Sequence, residues 1–271
     1  YSRDYIIWRG PFLLDEAAIS ISADTGTVVL TDARGCGVDG ITVDGDGAPD
    51  YVDNHTGVRV ESCDGCFVRN STLHDIYHAG GNWNGAGVML YNSDDTRVEN
   101  NLIYNVGSGV FIKGVFGTTE PQARTVVRLN RVRSAAAVCY MTQDSADAQI
   151  AQNLCEDSGN GIVVQARTDE ATEHPVRDII ANNTIVNSSQ TCMMVRGNAH
   201  EAVRVWNNLC AGGPVGVYVD GGPAPAAAQI DFEHQFFDGV SDIATDSTGD
   251  FNLAAWTSAY GHELATPSAQ Q

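Results

Sequence analysis

Lysine occurs once in this chain, at position 113, against fourteen arginines. It closes the run Val110-Phe-Ile-Lys113, and comparable four-residue runs end in Glu61, Tyr91, Gln165, Arg196 and Asp220. In these runs the apolar first and third residues alternate with the second and fourth, the period of an extended strand. The second and fourth residues are therefore expected on the outer face. The second places hold Arg59, Met89, Phe111, Val163, Met194 and Tyr218, and Met141 or Thr142 is expected in the fourth column between Lys113 and Gln165. If consecutive runs stack, Glu61, Tyr91 and Lys113 occupy successive rungs and Tyr91 is reached from both sides. A phenol beside an ammonium group suits proton transfer. Tyr91 is expected as base or acid, and Lys113 as the group that stabilises charge or binds a carboxylate.

The turn running from His74 through His78, Asn82, Trp83 and Asn84 to Gly87 leads directly into the Tyr91 run. Long turns on rigid scaffolds commonly carry binding groups. His74 or His78 is expected to supply a second proton transfer, since imidazole changes charge near neutral pH. Asn82, Trp83, Glu61, Arg59, Phe111, Gln165, Arg196 and Tyr218 form the expected substrate-binding stripe. The paired Asp94 and Asp95 sit in a turn, without the surroundings a carboxylate-pair hydrolase needs.

Four carboxylates lie within the segment Asp44-Gly-Asp46-Gly-Ala-Pro-Asp50-Tyr-Val-Asp53. Oxygen ligands on a glycine-bearing turn suit a hard cation. The segment resembles the calcium-binding loops of thrombospondin type 3 repeats, which implies Ca²⁺ at Asp44, Asp46, Asp50 and Asp53. Seven cysteines leave at least one thiol outside any intrachain disulfide. Cys63-Asp-Gly-Cys66 has no second CxxC or histidine pair at zinc spacing. Cys36 and Cys66 are equivalent positions of adjacent repeats, so a disulfide between them is expected, with Cys63 as the competing partner of Cys66. Cys155 and Cys210 share a column but have Ile185 between them, roughly 10 Å by strand spacing, and are not expected to bond.

A formal charge of −19 argues against nucleic acid as a general partner, because the overall field repels a polyanion. An acidic glycan meets the same objection unless cations or metal are concentrated locally. No apolar run is long enough for a transmembrane helix, so no membrane insertion is expected. The chain opens on Tyr1, read as a mature or trimmed product of a secreted or cell-surface protein.

What positions these residues is a repeat. Residues 57–71 lie over 87–101 at a shift of 30 without a gap. A polar anchor recurs at Ser71, Asn101, Asn130, Asn153, Asn183 and Asn208. An apolar residue stands three places before each anchor, and Leu73, Ile103, Val132, Cys155, Ile185 and Cys210 stand two places after. Each unit holds three short strand-like runs, too small to bury a face alone, so the units must stack. The expected fold is all-β, a right-handed parallel β-helix of roughly seven to nine coils. Coils fill residues 1–222, and 223–271 form a linker and a last irregular coil of the same domain. At each anchor Asn is expected to take left-handed φ and to bond its counterpart one coil away.

The rows 97–104, 180–187 and 205–209, Arg-Val-Glu-Asn-Asn-Leu-Ile-Tyr, Ile-Ala-Asn-Asn-Thr-Ile-Val-Asn and Val-Trp-Asn-Asn-Leu, resemble the repeat of pectate-lyase-like parallel β-helix proteins. That resemblance covers roughly residues 20–220. It implies an extracellular polysaccharide as partner and a carbohydrate-active enzyme, foremost a lyase or epimerase on an acidic glycan. A non-catalytic glycan-binding or adhesion solenoid and a hydrolase with paired carboxylates are the alternatives. In relatives resembling chondroitinase B and alginate lyases, a lysine base works with an arginine of the following coil. Lys113 matches the lysine in position, whereas the next coil offers no arginine and Arg196 stands three coils on.

Overall fold

The computed structural model describes residues 6–11, 13–15, 26–45, 47, 55–76, 83–114, 122–166, 177–197, 200, 202–220, 230–246 and 249–251. These residues contain no helix. Their strands wind into three parallel stacks. The first holds nine strands, from Ile7–Arg9 through Phe67–Arg69 and Arg97–Glu99 to Ile230–Glu233. The second runs from Leu13–Asp15 through Thr72–Ile76 to Phe236–Asp238. The third runs from Gly26–Thr31 through Thr56–Glu61 and Ala86–Tyr91 to Asp242–Asp246. Two long strands, Leu102–Lys113 and Arg131–Gln143, serve the second and third stacks at once. Residues 230–246 add a strand to each stack in register, and Gly249–Phe251 then folds back antiparallel.

Apolar columns explain the winding. Val58, Val88 and Val110 pair rung on rung and are fully buried. Leu73, Ile103 and Val132 do the same in the second stack, and Val68, Val98 and Val127 in the first. Each apolar side chain meets its like about 4.8 Å above and below, so one strand seals the next against water.

The polar anchors form a continuous buried ladder. The Asn153 side-chain oxygen accepts the Asn130 backbone N–H at 3.0 Å and the Asn130 side-chain N–H at 3.1 Å, while its own amide donates to the Val127 carbonyl at 2.9 Å. The ladder extends from Ser71 to Gln235, which the sequence had not marked as an anchor. The expected left-handed φ is not at the anchors. It falls one residue earlier, at Asn70, Asn100, Leu129, Gln152, Asn182 and Asn207. The preceding residue turns the chain, so the anchor itself can point inward and replace the hydrogen bonds that the corner denies the backbone.

The cysteines depart from expectation as well. Disulfides join Cys139 to Cys155 and Cys192 to Cys210, and Cys36, Cys63 and Cys66 are buried thiols outside both. Cys36 and Cys66 precede strands in parallel register, Gly37 on Phe67, so their side chains point the same way and stay about one strand spacing apart. A disulfide brings β-carbons to about 3.8 Å, which two bond vectors running side by side do not reach. Cys155 and Cys210 are indeed separated by Ile185.

Outside the core, surface arginines bond acids of neighbouring coils. Arg69 reaches Asp39 at 3.0 Å, Arg124 reaches Asp95 at 2.7 Å, Arg128 reaches Glu99 at 2.7 Å and Arg177 reaches Asp147 at 2.7 Å.

Candidate functional site

The outer edge of the third stack is one continuous register: Glu61, Tyr91, Lys113, Gln143, Gln165, Arg196 and Asp220. The fourth member is Gln143, not Met141 or Thr142. A register shift between Val106 and Ser108 puts Tyr140 into the inward Val110 column and displaces the rest of that strand. The Tyr140 hydroxyl lies 3.0 Å from the Asn130 carbonyl and 2.9 Å from that of Leu154, so this ring belongs to the core.

Around Tyr91 the column becomes a site. The Arg59 guanidinium lies 5.2 Å from the centre of the Tyr91 ring and the Lys113 ammonium 5.9 Å from it. Arg59 also donates to Glu61 at 2.7 Å along its own strand. Lys113 donates to the Asn84 side-chain oxygen at 2.9 Å and stands 5.6 Å from the Phe111 ring. Two cations, one of them paired with Glu61, therefore flank one phenol on a protein that is otherwise strongly acidic, an arrangement that polarises groups held against the ring.

The second outer column is not a solvated stripe. Met89, Phe111, Met141 and Val163 are buried, in an apolar cluster with Ala86, Ala137 and Val138 against which Trp83, Tyr91 and Met194 pack. Alternation correctly turns these side chains away from the solenoid core, but the outer face carries a small core of its own. Phe111 is thus a floor under Lys113 rather than an exposed sugar platform. Arg59, Trp83, Gln165 and Tyr218 are partly exposed, and Arg196 is exposed, three rungs from Lys113.

His74 lies elsewhere. It belongs to the second stack, between Asp44 and Tyr104. Its Nδ1 is 2.7 Å from Asp75 and 3.6 Å from Asp44, its ring stacks on Tyr104 at 4.8 Å, and the Arg133 guanidinium lies 4.8 Å over that Tyr104 ring. Burial alone would raise Asp75, but hydrogen bonds from His74 and Asn105 hold its carboxyl below the usual range. The structure therefore does not bring His74 to Tyr91. His78 and Asn82 lie outside the described residues.

Of the four carboxylates expected to hold calcium, Asp46, Asp50 and Asp53 lie outside the described residues. Asp44 clusters with His74 and Asp75, one ligand atom of each lying within 4.8 Å of the others. Asp44 and His74 are one repeat apart and meet rung on rung in the second stack, with Asp75 next along the His74 strand. A nitrogen in the set suits a transition ion better than calcium, which prefers oxygen alone. The Asp94–Asp95 pair is engaged in its turn. Asp94 accepts the Ala123 N–H at 2.8 Å, and the hydrogen bond from Arg124 holds Asp95 below the usual carboxylate range.

A family model described as a right-handed beta helix region matches residues 17–237. No curated protein sequence matches the chain. Among solved structures, tailspike protein mutants of E. coli bacteriophage HK620 superpose on it. One in complex with a pentasaccharide has a TM-score of 0.65 at 13% identity, covering 91% of this chain and 46% of that one. Another, in complex with a hexasaccharide, has a TM-score of 0.68 at 12% identity, covering 91% and 45%. At such identity the likeness concerns the fold, and the present chain spans less than half the length of those tailspike chains.

Proposed function

The chain belongs to the right-handed β-helix family, and from that premise we propose that it is a carbohydrate-active solenoid holding an acidic extracellular polysaccharide at the Arg59–Tyr91–Lys113 rungs. The observation that carries this reading is the phenol between two cations. A uronate carboxylate laid against them is neutralised, which acidifies the proton on the adjacent sugar carbon. Tyr91 is the aligned group that would take that proton or protonate the departing oxygen, with Lys113 and Arg59 stabilising the charge that develops. The outcome is lyase- or epimerase-type chemistry. The tailspike neighbours, crystallised with oligosaccharides, are in keeping with a sugar chain on this kind of scaffold. Two disulfides support a secreted or surface location, since such bonds persist in oxidising compartments. Calcium remains a proposed ligand of Asp44, Asp46, Asp50 and Asp53, and a melting temperature that falls on chelation would support it.

One observation favours a second reading. His74 faces Asp75 and Tyr104 instead of Tyr91, so the site has lost one of its expected proton carriers. A binding or adhesion solenoid needs none. Incubation with a panel of uronate polymers separates the two readings. New ultraviolet absorbance from an unsaturated uronate, or a change in sugar configuration by NMR, supports the enzyme. Saturable binding without turnover supports the adhesin, and neither binding nor turnover overturns both.

A further inference from the structure

The three thiols outside the disulfides are not equivalent. Cys63 and Cys66 frame the tight turn Cys63-Asp64-Gly65-Cys66 that carries the chain from the third stack to the first. The turn is fixed on both sides. Asp64 bridges to Arg34 in one neighbouring coil and Asp94 in the other, Gly65 takes a φ of 67°, and the Cys63 N–H donates to the Ser93 hydroxyl at 3.1 Å. The same two inward places are held by Ala33 and Cys36 in the coil before and by Ser93 and Thr96 in the coil after. In these three coils, two sulfurs share one turn only at Cys63 and Cys66.

Both sulfurs turn inward against the coil before, and a hydrogen bond links the two thiols. Cys63 Sγ lies 3.4 Å from the Leu30 carbonyl and Cys66 Sγ 3.7 Å from that of Ala33. Both residues are buried, so neither sulfur is spread into solvent. Cys36, by contrast, is related to Cys66 by the stacking translation that keeps side chains parallel.

We propose that Cys63 and Cys66 close into a third disulfide, a link within a single turn that the sequence pairing of Cys36 with Cys66 would exclude. The hydrogen bond from Cys66 lowers the Cys63 thiol to about 7, which makes Cys63 the attacking sulfur, and the same bond raises Cys66. In the first step the Cys63 thiolate attacks a small-molecule disulfide, such as oxidised glutathione, and expels one thiolate. The Cys66 thiolate then attacks the Cys63 sulfur of the mixed disulfide and expels the second. The protein gives up two protons and two electrons, and the oxidant leaves as two thiols. Because both sulfurs are buried, the exchange belongs to a chain whose Cys63–Cys66 turn has formed before the neighbouring coils cover it, or to moments when those coils open while the turn persists.

The test refolds the full chain from the reduced, denatured state across glutathione buffers from fully reducing to fully oxidising. Remaining thiols are alkylated in denaturant and the chain is mapped by mass spectrometry. At the oxidising end, alkylation should fall from all seven cysteines to Cys36 alone, and the peptide holding Cys63 and Cys66 should be two hydrogens lighter. Cys63→Ser should restore alkylation at Cys66 and leave Cys36 alkylated. Full alkylation of both Cys63 and Cys66 at every poise, or a link from Cys36 to Cys66, would overturn the proposal.

Discussion

Lys113 lies one rung above Tyr91 in strict parallel register, with its ammonium 5.9 Å from the centre of the ring. Replacing Lys113 by Ala should remove turnover of the responsive uronate polymer by about a hundredfold or more, the scale of losing a charge-stabilising group. Unfolding free energy should change by less than about 1 kcal/mol, because the side chain sits at the outer edge and fills no inner column. Equal turnover by mutant and wild type would remove Lys113 from the site.

Tyr91→Phe tests a different property. The ring remains between Arg59 and Lys113 and only the hydroxyl leaves. If Tyr91 moves the proton, kcat should fall by about two orders of magnitude or more while KM changes little. If the ring is only a platform, both constants should stay near the wild-type values.

Asn153→Ala should cost about 2–4 kcal/mol in denaturant unfolding. It strands the buried Asn130 N–H and the Val127 carbonyl, whose partners are on the Asn153 amide. Arg128→Ala breaks a shorter bond, to Glu99 at 2.7 Å, yet should cost less than about 1 kcal/mol because that pair lies at the surface with its arginine in water. Similar costs for the two variants would show that the ladder is not what holds the coils.

Asp178 gives stability a pH dependence of known sign. Burial pushes its carboxyl up from 3.8 to about 7, aided by the charge of Asp147 and opposed by hydrogen bonds from Ser145, Ala148 and Thr142. The folded state thus favours the protonated form. Its contribution is fully present below about pH 4 and is lost as pH rises to about 7, by at most about 4 kcal/mol. Urea midpoints of Asp178→Asn, which cannot ionise, should therefore gain on the wild type as pH rises through this window. Parallel curves would exclude the effect.

Removing the Cys139–Cys155 disulfide by paired Ser substitutions should destabilise the fold by about 3 kcal/mol, given a separation of 16 residues. The Cys192–Cys210 pair, separated by 18, should cost a similar amount. Differential scanning calorimetry with and without a reductant checks both.

Sequence by itself determined the solenoid, the inward columns of Val58, Val88 and Val110, the Asn ladder and the order Glu61, Tyr91, Lys113 along one edge. All of these are translational: a residue and its counterpart about thirty places on stack directly, so a linear comparison of the chain with itself reads them off. What only the tertiary structure decided lies across that translation. His74 and Tyr91 are near in sequence but on different stacks. The disulfides join cysteines of different strands whose side chains converge inside the coil, and Met89 and Phe111 vanish under an outer cluster. Alternation reports only whether a side chain points in or out. It carries no information about the angle between stacks or about what later covers the outer face, and those two quantities fix which chemical groups can meet.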